Sequence, residues 1–180
     1  MANLLDTIKQ HITPELIGQA ARLLDENEGG ISKAVGGLAP TILAGLLQKT
    51  GDAGVMGSIF NTLSNFDSGI LDNLSSLIGG GNLAHNDPKD VSGQLLGTLF
   101  GAKVPAITNS ISSFSGTKSS STSSLLGLVG PLVLGVLSKK INSDGLSVSG
   151  LANLLTGEKN SILGTLPTGM SAVLGLVDQG

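Results

Sequence analysis

The chain has no cysteine, no tryptophan and no tyrosine, and only two histidines in 180 residues. Each absence removes a class of function. Without cysteine there is no disulfide, no thiolate nucleophile and no thiolate metal ligand. With four Phe as the only aromatic rings, a stacking platform for bases or sugars has little to be built from. Charge is sparse as well: Asp, Glu, Lys and Arg make up 13% of the sequence, about half the usual quarter. Ten basic residues are scattered, with no cluster longer than Lys139-Lys140, and the net charge is −3. A phosphate backbone needs cations gathered on one face, so nucleic acid is not an expected partner. The amino-terminal stretch MANLLDTIKQHITPE has no basic segment followed by an apolar run. No secretory signal is read there, and cytoplasmic residence is the expectation.

The candidates for chemistry are equally thin. His11 precedes a Thr-Pro helix start, and His85 sits beside Asp87 and Asp90 in AHNDPKD. A metal site needs several convergent ligands at defined spacing, whereas Asp87-Pro88 fits a helix cap followed by a first-turn proline. The pairs Glu26/Glu28 and Asp67/Asp72 read as solvated carboxylates. Gly57-Ser58 and Ser149-Gly150 lack the Gly-x-Ser-x-Gly frame, and Gly79-Gly80-Gly81 lacks the Lys-Ser/Thr of a phosphate loop. No catalytic, cofactor-binding or metal-binding residue is assigned, no cofactor is expected, and the chain is not read as an enzyme.

What the sequence does contain is a repeat. At a constant offset of 91, Leu4, Leu5, Thr7 and Pro14 fall on Leu95, Leu96, Thr98 and Pro105. Gly36, Pro40, Leu43, Leu46 and Lys49 fall on Gly127, Pro131, Leu134, Leu137 and Lys140. Apolar positions match between the identities, among them Leu16/Ile107, Leu23/Phe114, Leu38/Val129 and Ile42/Val133. Neither histidine and no carboxylate is shared. The repeat keeps packing positions and backbone geometry, not a chemical site. Two halves are expected, 1–84 and 85–180, either as separate units or as one pseudo-symmetric domain.

Helix is the expected structure throughout. Thr13-Pro14-Glu15 reads as a cap, a first-turn Pro and an acidic first turn, opening a helix to about Glu26 that Glu28-Gly29-Gly30 ends. Ser32 is expected to cap the next, whose apolar residues Val35, Leu38, Ile42, Leu43, Leu46 and Leu47 follow helical spacing. Asp52 and Asp67 suit as caps for helices over 53–65 and 68–79, and a short helix is expected over 168–177. Strands have little support, because Leu and Ala outweigh the β-branched and aromatic residues. Leu125 to Leu137 is too short to span a bilayer and contains Pro131, so it reads as a buried core helix. The interior glycines Gly36, Gly37, Gly45, Gly127, Gly130 and Gly135 are expected to permit close helix approach, and Pro40 and Pro131 to kink or break their helices at equivalent places. The serine-rich SGTKSSSTSS of residues 115–124 reads as a flexible or surface loop that shortens the second half's first long helix. The halves should therefore differ most at 25–31 against 116–122.

The segments GGLAPTILAGLLQK (36–49) and GLVGPLVLGVLSKK (127–140) resemble the Leu-Pro-aliphatic-Gly-Leu-Gly-Lys core of the YidB-like bacterial proteins of unknown function. LLGTLFGAKVPAITNSIS (95–112) is similar to the short Leu/Gly helix and Phe-Gly step of that family. The resemblance implies an all-α, multi-helical fold in a bacterial protein, here as two tandem homologous halves with Gly/Pro-punctuated central helices. It supplies no functional residue. The expected function is non-catalytic: a structural or interaction protein that self-associates, its partner being itself as a homo-oligomer or filament. The alternative is an apolar-ligand or membrane-associated binding protein, with membrane contact the less favoured partner.

Overall fold

Local capping side chains open four of the α-helices among the described residues. The computed structural model describes residues 4–65 and 100–166. Among these, eight α-helices and two single 3-10 turns account for the regular structure, with no strand. Helix α1 is Leu4–His11. Helix α2, Pro14–Leu24, is capped by Thr13, whose hydroxyl accepts from Leu16 N at 3.2 Å. Helix α3 is Glu28–Gln48. A 3-10 turn at Lys49–Gly51 leads to α4, Ala53–Asn65, where Asp52 Oδ1 accepts from Val55 N at 3.2 Å. After a second 3-10 turn at Gly101–Lys103 come α5 (Val104–Ser115), α6 (Ser119–Asp144), α7 (Val148–Gly157) and α8 (Lys159–Thr165). Ser147 caps α7 by accepting from Gly150 N at 3.1 Å.

Helix α3 is the centre. Every residue from Gly37 to Leu47 is buried, so the helix is covered all round, as its nearly charge-free sequence demands. It lies chiefly against α6 and α5, and α6 also holds α1 and α4. Two of these contacts are exchanged. Helix α4 follows α3 but packs on α6, and α7 follows α6 but packs on α3. One hydrophobic core results among the described residues, drawing Leu4 to Leu63 and Phe100 to Ile162 into a single cluster.

Pro40 is buried inside α3, which continues through it, and α6 likewise runs through position 131; neither proline breaks its helix. Pro40 has no N–H to offer the carbonyl of Gly36, four residues earlier. Gly36 is solvent-exposed, and nothing lies within 4 Å of where its side chain would be. Gly36 therefore does not serve close helix approach. Gly45 does: a Cβ there would stand 2.6 Å from Phe100 Cε1.

Several expectations are corrected. Helix α2 stops at Leu24 because Asp25 adopts a left-handed conformation, φ 57°. Helix α3 begins at Glu28, four residues before Ser32, because the Asn27 side chain accepts from Gly30 N at 2.6 Å and makes Asn27 the cap. The serine run is not a loop. Residues 119–124 form the first turns of α6, and Ser121 and Thr122 are buried at 3% and 0% exposure. The second half has lost nothing there: α5 has 12 residues against 11 in α2. Nor do 25–31 and 116–122 differ most in backbone. Asp25 and Gly116 are both left-handed, Asn27 and Lys118 are both extended N-caps, and α3 and α6 start at 28 and 119, all at the offset of 91. The larger difference comes later, where α3 ends at Gln48 and α6 continues to Asp144. The helices expected over 68–79 and 168–177, the break at Gly79–Gly81, and Asp67, Asp72, His85, Asp87 and Asp90 lie outside the described residues.

Candidate functional site

Where the α2–α3 turn meets the α5–α6 turn, polar groups of the two turns hydrogen-bond across the junction. Helix α6 starts with Lys118 at the N-cap, a residue with no acceptor to offer. The first N–H groups of a helix still need partners. Glu26 supplies one from the other half: its Oε2 accepts from Lys118 N at 3.0 Å and from Ser121 Oγ at 2.7 Å. Lys118 Nζ stands 3.9 Å from the same oxygen but is 58% exposed, so that ion pair is a minor contribution. The two hydrogen bonds, the backbone one first, hold the Glu26 carboxyl below the usual glutamate range, and the helix dipole favours a charge placed there.

The reciprocal contact is apolar. Glu26 and Ser121 correspond, at the offset of 91, to Thr117 and Gly30. The methyl of Thr117 lies 3.0 Å from the place a Cβ would take on Gly30, so glycine at the start of α3 makes room for it. The Thr117 hydroxyl turns inward, 2.7 Å from Ser115 Oγ and 2.8 Å from Thr122 Oγ1. Ser115 donates to Ile111 O at 2.8 Å, Thr122 donates to Lys118 O at 3.0 Å, and Ser112 Oγ donates to Thr117 O. The buried hydroxyls thus satisfy one another and the helix carbonyls. This is a structural staple. It offers no nucleophile–base pair and no open cavity.

A second cross-chain carboxylate acts at the opposite end of the sequence. Glu158 accepts from Leu4 N at 2.7 Å and fastens the start of α1 to the α7–α8 junction. Burial pushes this carboxyl above its usual range, opposed by that hydrogen bond and by Lys140, and aided by Asp6.

The two glutamates should tilt stability in opposite directions with pH. A lowered folded pKa contributes stability that is present above the unfolded value and lost as pH falls through the folded one. Glu26 should therefore weaken the fold below about pH 4.3. Glu26→Ala should cost about 1 kcal/mol at neutral pH, the value of a lost helix cap. Glu158, raised, should cost stability as pH climbs through and above the same range, and Glu158→Gln should relieve that loss. Denaturant midpoints of the wild type and both variants from acidic to neutral pH would check this, and parallel curves for all three would refute it.

The other candidates from the sequence stay ordinary. His11 ends α1, partly exposed; Glu28 lies exposed in the first turn of α3; Ser58 and Ser149 are exposed on α4 and α7. No group of His, Asp or Glu among the described residues is arranged to hold a metal ion. An apolar cavity of about 10 Å³ between α2, α3 and α6, walled by Leu16, Ile31, Val35 and Leu132, has room for no more than about a single water. Sequence reasoning missed Glu26. The signal was available: Lys118 stands at the offset of Asn27, so the second helix start lacks an acceptor of its own. Two large apolar side chains are exposed among the described residues, Leu23 at 46% and Phe114 at 45%, and they too stand at the offset of 91.

A family model described as a bacterial protein of unknown function (DUF937) matches residues 6–140, from α1 into α6. No curated protein and no solved structure matches the chain.

Proposed function

We propose, from the premise that this chain belongs to the DUF937 family of bacterial proteins of unknown function, that it is a non-catalytic structural or interaction protein that self-associates as a homo-oligomer. The observation that carries the reading is the exposed pair Leu23 and Phe114. One such residue on a charge-poor surface is common. Two at the same offset of 91 expose an apolar side chain in each half, and apolar exposure with few charges around it favours association. The reading includes tandem duplication of a YidB-like unit, with 1–84 and 85–180 as interlocked halves. It draws on the offset of 91 shared by the α2 and α5 ends and by the α3 and α6 starts, and on the exchanged packing of α4 and α7. Residence in the cytoplasm is part of the same proposal.

A second reading, a membrane-associated or apolar-ligand binding protein, draws on one observation. Segments Glu28–Gly51 and Ser119–Asp144 are long and apolar enough to cross a membrane. Their apolar windows are 83% and 76% buried within the protein, so membrane insertion would require the core to open. Light scattering over rising protein concentration, with and without anionic lipid vesicles, separates the two. Self-association predicts a mass above that of one chain without lipid and no co-flotation with vesicles. A single-chain mass at all concentrations with full vesicle recruitment would establish the second reading instead.

A further inference from the structure

The contacts between residues 4–65 and residues 100–166 point to a second route to association, one that does not use the exposed pair. Neither segment closes a core on itself. In 4–65, α4 lies on α6 and α7 rather than on α3, and in 100–166, α7 and α8 lie chiefly on α3. Without the other segment, α4 would uncover Met56, Ile59 and Leu63, and α7 and α8 would uncover Leu151, Leu155 and Ile162, all now at most 1% exposed. The contacts also select the unlike segment. Glu26 accepts from Lys118 N and Ser121 Oγ, Glu158 accepts from Leu4 N, and the Phe100 ring lies over Gly45. At the offset of 91, Ser121 answers to Gly30, Thr117 to Glu26 and Val136 to Gly45. Two copies of 4–65 laid together in the same manner would set each Glu26 against a glycine in place of the Ser121 hydroxyl and would deprive Leu4 N of Glu158. Two copies of 100–166 would set Thr117 against Lys118 N, leaving that helix start without a carboxylate, and Phe100 against Val136. A Cβ at Gly45 would already stand 2.6 Å from the ring, so a valine in its place has no room.

We infer that residues 4–65 of one chain take residues 100–166 of a second copy in place of their own, so that the partner is a second copy of this chain and the interface is the one its own core uses. Each contact named above is the same whichever chain supplies the segment. Exchange of an identical element between copies is a low-cost route to a dimer. Two chains that exchange reciprocally satisfy every one of these contacts twice, so the assembly closes at two. Within one chain, linked segments meet at an effective concentration in the millimolar range, so the single chain forms in dilute solution and the exchanged pair at roughly millimolar protein.

Complementation between full chains tests this. Leu43→Asp should unfold 4–65 and Leu134→Asp should unfold 100–166, each by placing an unpaired charge at a fully buried position. Either chain refolded alone should lack the helical circular dichroism of the wild type. Refolded together in equal amounts, the intact 100–166 of the first should take the intact 4–65 of the second. The product should have a two-chain mass and about half the wild-type helical signal, since one complete core forms for every two chains. The wild type refolded at roughly millimolar concentration should yield a two-chain species that persists on dilution, because its reversal needs the shared core to open. A mixture no more helical than its components would overturn the inference, as would a Leu43→Asp or Leu134→Asp chain that forms a helical two-chain species by itself. Native wild-type oligomers that dissociate on dilution, beside a mixture that gains no helix, would remove exchange and leave the surface association proposed above standing. Rescue of the mixture, beside a native wild type that stays a single chain, would do the reverse.

Discussion

Leu43→Ala and Leu134→Ala should each cost about 2–5 kcal/mol and lower one and the same unfolding transition. The two leucines are equivalents at the offset of 91, and both are fully buried. One lies on α3 and the other on α6, the two long helices that pack on each other. Removing three carbons from either leaves a hole with walls from both halves, because α4 crosses to α6 and α7 crosses to α3. For a chain of this length each kcal/mol lost is about 2–4 °C in midpoint, so a drop of roughly 5–20 °C is expected from either change. Calorimetry decides the domain question at the same time. If 1–84 and 85–180 were independent, each substitution would shift one transition and spare the other. With a single core cluster running from Leu4 to Ile162, one cooperative transition should be seen in all variants. Two resolved transitions, one of them unmoved in each variant, would show that the shared core is not what holds the halves together.

How far the fold is legible in the sequence depends on how local its causes are. Thr13-Pro14 and Asp52 mark helix starts correctly, because a cap and the N–H it serves lie within three residues of each other. The all-helical class and the burial of α3 follow from the spacing and near absence of charge along one segment. The errors come from partners distant in sequence. Residues 115–124 have the composition of a solvated linker, and only the arrival of Glu26, 95 residues away from Ser121, makes it a buried helix start. Composition reports what a segment would do alone, and here tertiary neighbours override it. Asn27 and Ser32 are both competent caps. The choice between them turns on the chain reversal at Asp25, whose left-handed backbone is unusual for a residue with a side chain. Gly36 and Gly45 look alike in sequence, and nothing local says that one faces solvent and the other a phenyl ring. The staple at Glu26 was legible only by comparing the halves, since a helix start without an acceptor of its own must borrow one.

At the offset of 91, Gly45 corresponds to Val136, and Phe100 corresponds to Lys9. One half has a small residue with a large ring beside it, whereas the other has a branched residue in the glycine's place and no ring at the matching position. Gly45 is buried, and a Cβ there would lie 2.6 and 2.7 Å from Phe100 Cε1 and Cζ, closer than carbons can approach. The ring has little room to yield, being only 4% exposed. Gly45→Val should therefore overpack the site and cost about 1–3 kcal/mol, even though replacing a mid-helix glycine normally helps. Phe100→Ala should cost about 3–5 kcal/mol by leaving a cavity. Each defect supplies what the other lacks. In the double variant the valine occupies part of the space the ring vacates, so the combined cost should fall short of the sum by about 1 kcal/mol or more. Denaturant midpoints of the four proteins measure that difference directly. Strictly additive costs would mean that Gly45 and Phe100 do not share a volume, and that the glycine in the central helix answers to some neighbour other than the ring.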